Sequence, residues 1–354
     1  MIKPITAAML SCEGEKLSDR EKILFSKSNP LGITLFSRNI KNKEQVKKLI
    51  DDVKNAINRD DVLIAVDEEG GRVSRLKGLR GFAYLDQETI VKFSSKYSYM
   101  QAILIAEELK SLGININYAP VVDKLSKTQN KVLENRCFSE DPDKIALYGK
   151  TMADAYINMG ICPCIKHMPG HFSTLIDPHL NVIESNMTED EIKKEISYLR
   201  EFSKYPMVMT SHIKLNCVDN QNPTTLSKEV INRIIREIIG FKGFIISDAI
   251  DMHAVEGNVL EKAKKALDAG VDAICYCMGK YEEMYDICNA NLFMNEKSLI
   301  RFANIKKVIN NKPNTIDFDK LRMSYLDKMR GFLDKQYSYD ATEVLHQMQK
   351  KGDF

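Results

Sequence analysis

Asp248 ends a short apolar run, FIIS at 244–247. An ionised carboxylate there, near cationic partners, can attack an electrophilic carbon. The structural alternative is an N-cap for the segment that follows. Sugar hydrolysis with retention needs such a carboxylate and a separate proton donor. His179, with Asp177 two residues before it, has the residue types for a donor. A neighbouring carboxylate orients an imidazole and favours its protonated form. The alternative for Asp177 and His179 is an exposed loop pair.

Five of the six histidines fall between positions 167 and 253, and His167, His171, His179 and His212 follow two successive apolar runs. His167 and His171 are four apart, but Pro169 and Gly170 between them break any helix. There is no H-E-x-x-H and no cysteine at zinc spacing with them, so no metal is expected. No G-x-G-x-x-G or Walker loop occurs, so no nucleotide cofactor is expected either.

These residues need elements to position them. Eight apolar runs lie at 5–10, 32–36, 63–67, 114–119, 162–166, 207–210, 244–247 and 273–276. Each is apolar on both faces, as a buried parallel strand must be. Helical patterns lie between them. Lys43 opens one, and another runs over 100–112. Thr188 followed by Glu191 is a helix start, Ser227 opens the segment closed by Gly240, and Gly270 closes one more. Strands alternating with helices predict a single (β/α)₈ TIM-type barrel over residues 1–300, with a short helical C-terminal extension over 301–354. A doubly wound open sheet is the rival. In a barrel, the C-terminal ends of the strands carry the chemistry. Those ends hold Asp67-Glu68-Glu69 with Arg75, then Asn117 with Asp123, Lys166-His167, Ser211-His212 and Ser247-Asp248, while Arg136 lies on a loop.

Composition narrows the function. The 354 residues are 44% hydrophobic and 28% charged, which excludes disorder as the main state. A net charge of +2 gives no electrostatic footprint for nucleic acid or an anionic membrane. No apolar window reaches the length of a spanning helix, and the run at 5–10 is short for a signal-peptide core, so a cytoplasmic location is expected. The eight cysteines form no C-x-x-C. Cys162 and Cys164 should share one strand face, as should Cys275 and Cys277, and they are expected as buried thiols.

Six segments together resemble a known family: DEEGGRVSRL (67–76), NYAPVVD (117–123), NRCFSEDP (135–142), KHMPGH with DPH (166–171, 177–179), MTSHI (209–213) and ISDAIDM (246–252). They resemble the cytoplasmic bacterial β-N-acetylglucosaminidases (beta-N-acetylhexosaminidases) of glycoside hydrolase family 3, enzymes of peptidoglycan recycling. The resemblance implies a retaining exo-glycosidase acting on terminal β-N-acetylglucosamine in a small glycan or muropeptide. It implies that Asp248 is the nucleophile, His179 the general acid/base and Asp177 its partner. It also implies that Asp67, Arg75, Arg136, Lys166 and His167 hold the sugar. Neither metal nor cofactor is implied. Four positions depart from the family pattern: Met168 for Phe, Phe172 for Gly, Pro178 for Ser and Ala249 for Asp. The alternatives are a phosphorylase with the same site, an inactive sugar-binding barrel and a metal-dependent hydrolase.

Overall fold

The computed structural model describes residues 3–125, 133–172, 183–252, 257–313 and 315–333. Eight strands form a closed barrel: β1 (Thr6–Leu10), β2 (Pro30–Leu35), β3 (Leu63–Val66), β4 (Ile116–Asn117), β5 (Cys162–Met168), β6 (Met207–Thr210), β7 (Phe244–Ala249) and β8 (Ala273–Cys275). Every neighbouring pair is parallel. β1 pairs with both β2 and β8, so the sheet has no edge and the open-sheet alternative falls.

The period of two in each strand explains the two cores. Ala7 and Met9, Leu63 and Ala65, Cys162 and Cys164, Met207 and Met209, and Phe244 and Ile246 fill the barrel. Their neighbours Ala8, Ile64, Ile165, Val208 and Ile245 face the surrounding helices. Burying each larger apolar side chain contributes about 1.5–3 kcal/mol. Cys275 and Cys277 lie together in the interior with their sulfurs 3.5 Å apart, so the same-face expectation holds there.

The helix starts and stops follow local chemistry. Thr188 and Glu191 make a reciprocal capping box at helix Glu189–Glu195. Gly270 ends helix Val259–Ala269 in the left-handed region, with φ of 108°. Segment Val230–Ile238 differs from the expected α-helix: it is wound as a π-helix, and nothing in its local sequence explains that. Helix Glu296–Ile309 runs through position 300. Helix Phe318–Met329 then packs on helix Ser95–Leu112, where the buried Tyr325 hydroxyl donates to Gln101. Among the described residues, no helix is long and apolar enough to cross a membrane.

Candidate active site

Strand periodicity carries three polar side chains into the barrel mouth. Asp67, Lys166 and Asp248 each lie two residues beyond an inward-facing residue, Ala65, Cys164 and Ile246. After Asp67 the chain folds into a tight hairpin, Glu68–Gly70 against Val73–Ser74. Gly70 has φ of 92°, and a Cβ there would sit 2.4 Å from the Leu85 carbonyl oxygen, so the turn requires glycine. Alternation separates the two glutamates. Glu68 turns away to accept from Ser74 Oγ and the Leu76 amide, and it pairs with Arg80 at 3.0 Å. Glu69 turns to the mouth.

There Glu69 is the hub of a buried ion cluster. Arg136 grips it with two parallel bonds of 2.8 Å, from Nε and Nη2. Lys166 Nζ lies 2.6 Å from Glu69 Oε1 and 2.7 Å from Asp67 Oδ1. Arg75 is 3.8 Å from Asp67 Oδ2. Burial would raise the Glu69 carboxyl, but Arg136 and Lys166 hold it far below the usual carboxylate range. Asp67 and then Glu69 overcome burial and raise Lys166. Asp67 keeps 14% of its side chain exposed, against 1% for Glu69. A sugar hydroxyl can therefore reach Asp67, while Glu69 lies behind.

The other side of the mouth is built from imidazoles. After β4 the chain runs beside Lys166, whose N–H donates to the Pro120 carbonyl and whose carbonyl accepts from the Val122 amide. That path delivers Asp123 to the end of β5. Asp123 Oδ2 accepts from the His167 amide at 3.1 Å and contacts His167 Nδ1 at 2.7 Å. Oδ1 accepts from the His171 amide at 2.9 Å and contacts His171 Nδ1 at 3.0 Å. Burial would raise the Asp123 carboxyl, but the two histidines hold it well below its ordinary value. Donor atoms of Asp123, His167 and His171 lie within 4.8 Å of one another, so these three could also hold a metal ion. The Nδ1 atoms are engaged on Asp123 in the observed arrangement, and a metal bound through them would displace those bonds.

Asp248 faces this group. Its Oδ2 is 3.8 Å from His167 Nε2, and its Oδ1 accepts from the Ala249 amide at 2.7 Å. One fifth of the side chain is exposed. Burial pushes the carboxyl up, but the charges of His167 and His212 and the Ala249 amide outweigh it and lower it to about 2. Asp248 lies inside β7, and Asn258 caps the next described helix, so the N-cap alternative for Asp248 falls. His212 packs alongside with both ring nitrogens engaged, Nδ1 with Thr225 Oγ1 at 2.8 Å and Nε2 with the Ala249 carbonyl at 3.0 Å.

The structure thus brings Asp67, Arg75, Arg136, Lys166, His167 and Asp248 to one end of the barrel. Asp177 and His179 lie outside the described residues. Sequence reasoning passed over Glu69 and Asp123 as site residues. The signal for Glu69 was its spacing of two from Asp67, which puts both on one face. Asp123 lies beyond β4 on irregular chain, where no period applies.

Comparison with known proteins agrees with this geometry. Residues 5–308 match the glycosyl hydrolase family 3 N-terminal domain. A beta-hexosaminidase of Psychromonas ingrahamii is 34% identical over 76% of this chain and 82% of its own length. Beta-hexosaminidase A of Pseudoalteromonas piscicida is 29% identical over 70% of this chain, which covers 46% of that longer protein. The structure of NagZ from Neisseria gonorrhoeae in complex with N-trifluoroacetyl-D-glucosamine superposes with a TM-score of 0.81 and 25% identity, covering 94% of this chain and 99% of that one. A parallel barrel whose mouth sets an ionised aspartate against a buried cation cluster, with a family match over most of its length, makes this chain a glycoside hydrolase belonging to glycosyl hydrolase family 3.

Proposed function

We propose that the protein is a retaining exo-β-N-acetylhexosaminidase that removes terminal β-N-acetylglucosamine through an aspartyl glycosyl-enzyme. The observation that carries this reading is Asp248: an ionised, partly exposed carboxylate at a strand tip, facing the Asp67–Lys166 pair across the mouth. Relatives named beta-hexosaminidase and a neighbour solved with an N-acylated glucosamine support the sugar assignment.

Asp67, Lys166 and the arginines would hold the sugar through hydroxyls and the acyl oxygen. Oδ1 of Asp248 is tied to the Ala249 amide, which leaves Oδ2 to attack the anomeric carbon. The C–O bond to the aglycone breaks as His179, protonated beside Asp177, delivers its proton to the leaving oxygen. Water then attacks the same carbon, His179 takes its proton, and Asp248 departs as carboxylate. A histidine in place of the second carboxylate is the departure from the common retaining scheme. No step draws on a metal or cofactor. By the family resemblance the natural substrate is an N-acetylglucosamine-terminated glycan or muropeptide, met during peptidoglycan recycling in the cytoplasm.

The test is release of chromophore from 4-nitrophenyl β-N-acetylglucosaminide, with the first-formed anomer read by proton NMR. The β-anomer is expected, at a rate that neither phosphate nor EDTA changes. An α-anomer would overturn retention. A phosphate-dependent sugar phosphate would make the enzyme a phosphorylase. Loss of activity with EDTA would put a metal in the reaction.

A further inference from the structure

Asp123 is 2% exposed, and its carboxylate meets four donor positions on two histidines. An ionised carboxylate offers about four acceptor sites, so this one is fully used. Two of its contacts are backbone N–H groups, which can only donate. They fix the carboxylate plane, and the two Nδ1 atoms meet the remaining lone pairs. An Nδ1 without hydrogen would set a lone pair against an anion at 2.7 Å in His167 and 3.0 Å in His171, so both must carry hydrogen. When neutral, each ring is then the Nδ1–H tautomer, with no hydrogen on Nε2. The rings also pack edge to face, 4.6 Å apart at 77°, so neither can turn without the other.

We propose that Asp123 is a positioning residue of the hydrolase: by gripping His167 and His171 with one carboxylate, it fixes the tautomer and orientation of His167 beside Asp248. His167 Nε2 stands 3.8 Å from Asp248 Oδ2, outside hydrogen-bond distance. With Nδ1 committed to Asp123, Nε2 accepts from a sugar hydroxyl when the ring is neutral. It carries a hydrogen to offer Asp248 only when the ring is charged. Asp123 thereby keeps the neutral ring from donating to the nucleophile and lowering its nucleophilicity. His171 completes the grip from the opposite edge of the carboxylate. This inference rests on the proposed role of Asp248, but the tautomer it requires can be observed without turnover.

The experiment combines ¹⁵N-histidine NMR on the full chain with kinetics on 4-nitrophenyl β-N-acetylglucosaminide. In the wild-type protein, two histidines should show the Nδ1–H pattern. Asp123→Asn puts an amide NH₂ against one of the two histidines, so a ring must change tautomer or turn. The expected result is a changed nitrogen spectrum and a fall in kcat of roughly a hundredfold, the scale on which a mispositioned imidazole acts. KM should move far less. Asp123→Glu should recover part of the loss. If Asp123→Asn does not fold, His171 supplies the second pair of variants. His171→Asn keeps a donor on Oδ1 and should retain most of kcat, whereas His171→Leu should lower kcat and shift the His167 signals. An Nε2–H pattern for either ring in the wild type would overturn the proposal. So would an Asp123→Asn protein with unchanged kcat, or equal activity in the two His171 variants. If the wild type fails to cleave the glycoside at all, the functional reading falls instead, and the spectra still decide the tautomer.

Discussion

The two sides of the barrel mouth are built from different kinds of charge. On the β3 side, Asp67 and Glu69 meet Lys166, Arg75 and Arg136, which stay charged at any pH the enzyme meets. On the β7 side, Asp123 and Asp248 meet imidazoles, whose charge is conditional. Burial lowers His167 and His212 from their ordinary values, although Asp123 and Asp248 oppose it. The first side can hold a ligand but cannot exchange protons with it. The second can do both, and it holds Asp248, the proposed nucleophile. The difference teaches where each kind of mutation should show: in affinity and stability on one side, in turnover on the other.

The sharpest way to break this division is Asp248→Asn. The amide cannot form a glycosyl ester, so turnover should fall by several orders of magnitude while binding of N-acetylglucosamine stays nearly intact. Steady-state kinetics paired with titration calorimetry would read both quantities. A variant with near-normal kcat would remove Asp248 from the mechanism.

His179→Ala should come next, and its effect should depend on the substrate. Poor leaving groups need a proton and should lose roughly 10²–10⁴-fold in kcat/KM, whereas activated aryl groups leave as stable anions and should lose much less. A series of aryl glycosides of graded leaving-group acidity measures the slope. An equal deficit across the series would take the acid role from His179. His212 is then a poor substitute, because both its ring nitrogens are already engaged.

Glu69→Gln tests the other side. It removes the Glu69 charge from both Arg136 and Lys166, and removing one partner of a buried pair costs about 3–5 kcal/mol. The expected result is a large drop in chemical-denaturation stability. Sugar affinity should fall as Lys166 and Arg136 lose their fixed positions. Unchanged stability would mean that the cluster is solvated in solution.

How legible was this in the sequence? The eight strands were, because a strand buried on both faces leaves a short apolar run bounded by turn or polar residues, whereas the apolar stretch at 102–106 sits within a longer helical pattern. Asp67, Lys166 and Asp248 were legible too, since each ends such a run. Asp123 was seen but not placed: it reaches His167 through irregular chain whose course depends on tertiary hydrogen bonds such as Lys166 N–H to the Pro120 carbonyl. The fate of Glu68 against Glu69 turns on the Gly70 hairpin, which reverses the chain within three residues. The π-helical winding of Val230–Ile238 was not legible, because its spacing of apolar residues fits an α-helix as well.

The smallest effect concerns Asp251, three residues beyond Asp248. Its Oδ1 accepts from the Cys277 amide at 2.9 Å. Burial pushes the carboxyl up to about 6; Glu283 adds to the rise, and the Cys277 amide and Arg38 oppose it. Lys262 also faces it, and its own ammonium is lowered by burial. The unfolded chain would release this proton near 3.9. Between about 4 and 6 the folded protein therefore holds a proton that the unfolded chain has lost, so stability falls as pH rises through that window and stays lower above it. A two-unit difference corresponds to about 3 kcal/mol, which partial exposure cuts to about 1–2 kcal/mol. Asp251→Asn keeps the acceptor for Cys277 but cannot ionise. It should stabilise the protein by that amount at pH 8 and leave it unchanged at pH 4, which thermal unfolding across the pH range would read. Asp248, lowered to about 2, stays ionised throughout, so kcat should not follow the stability change. If the variant is destabilised equally at both pH values, Asp251 is no more than a hydrogen-bond acceptor, and the unfavourable charge lies elsewhere on the β7 side.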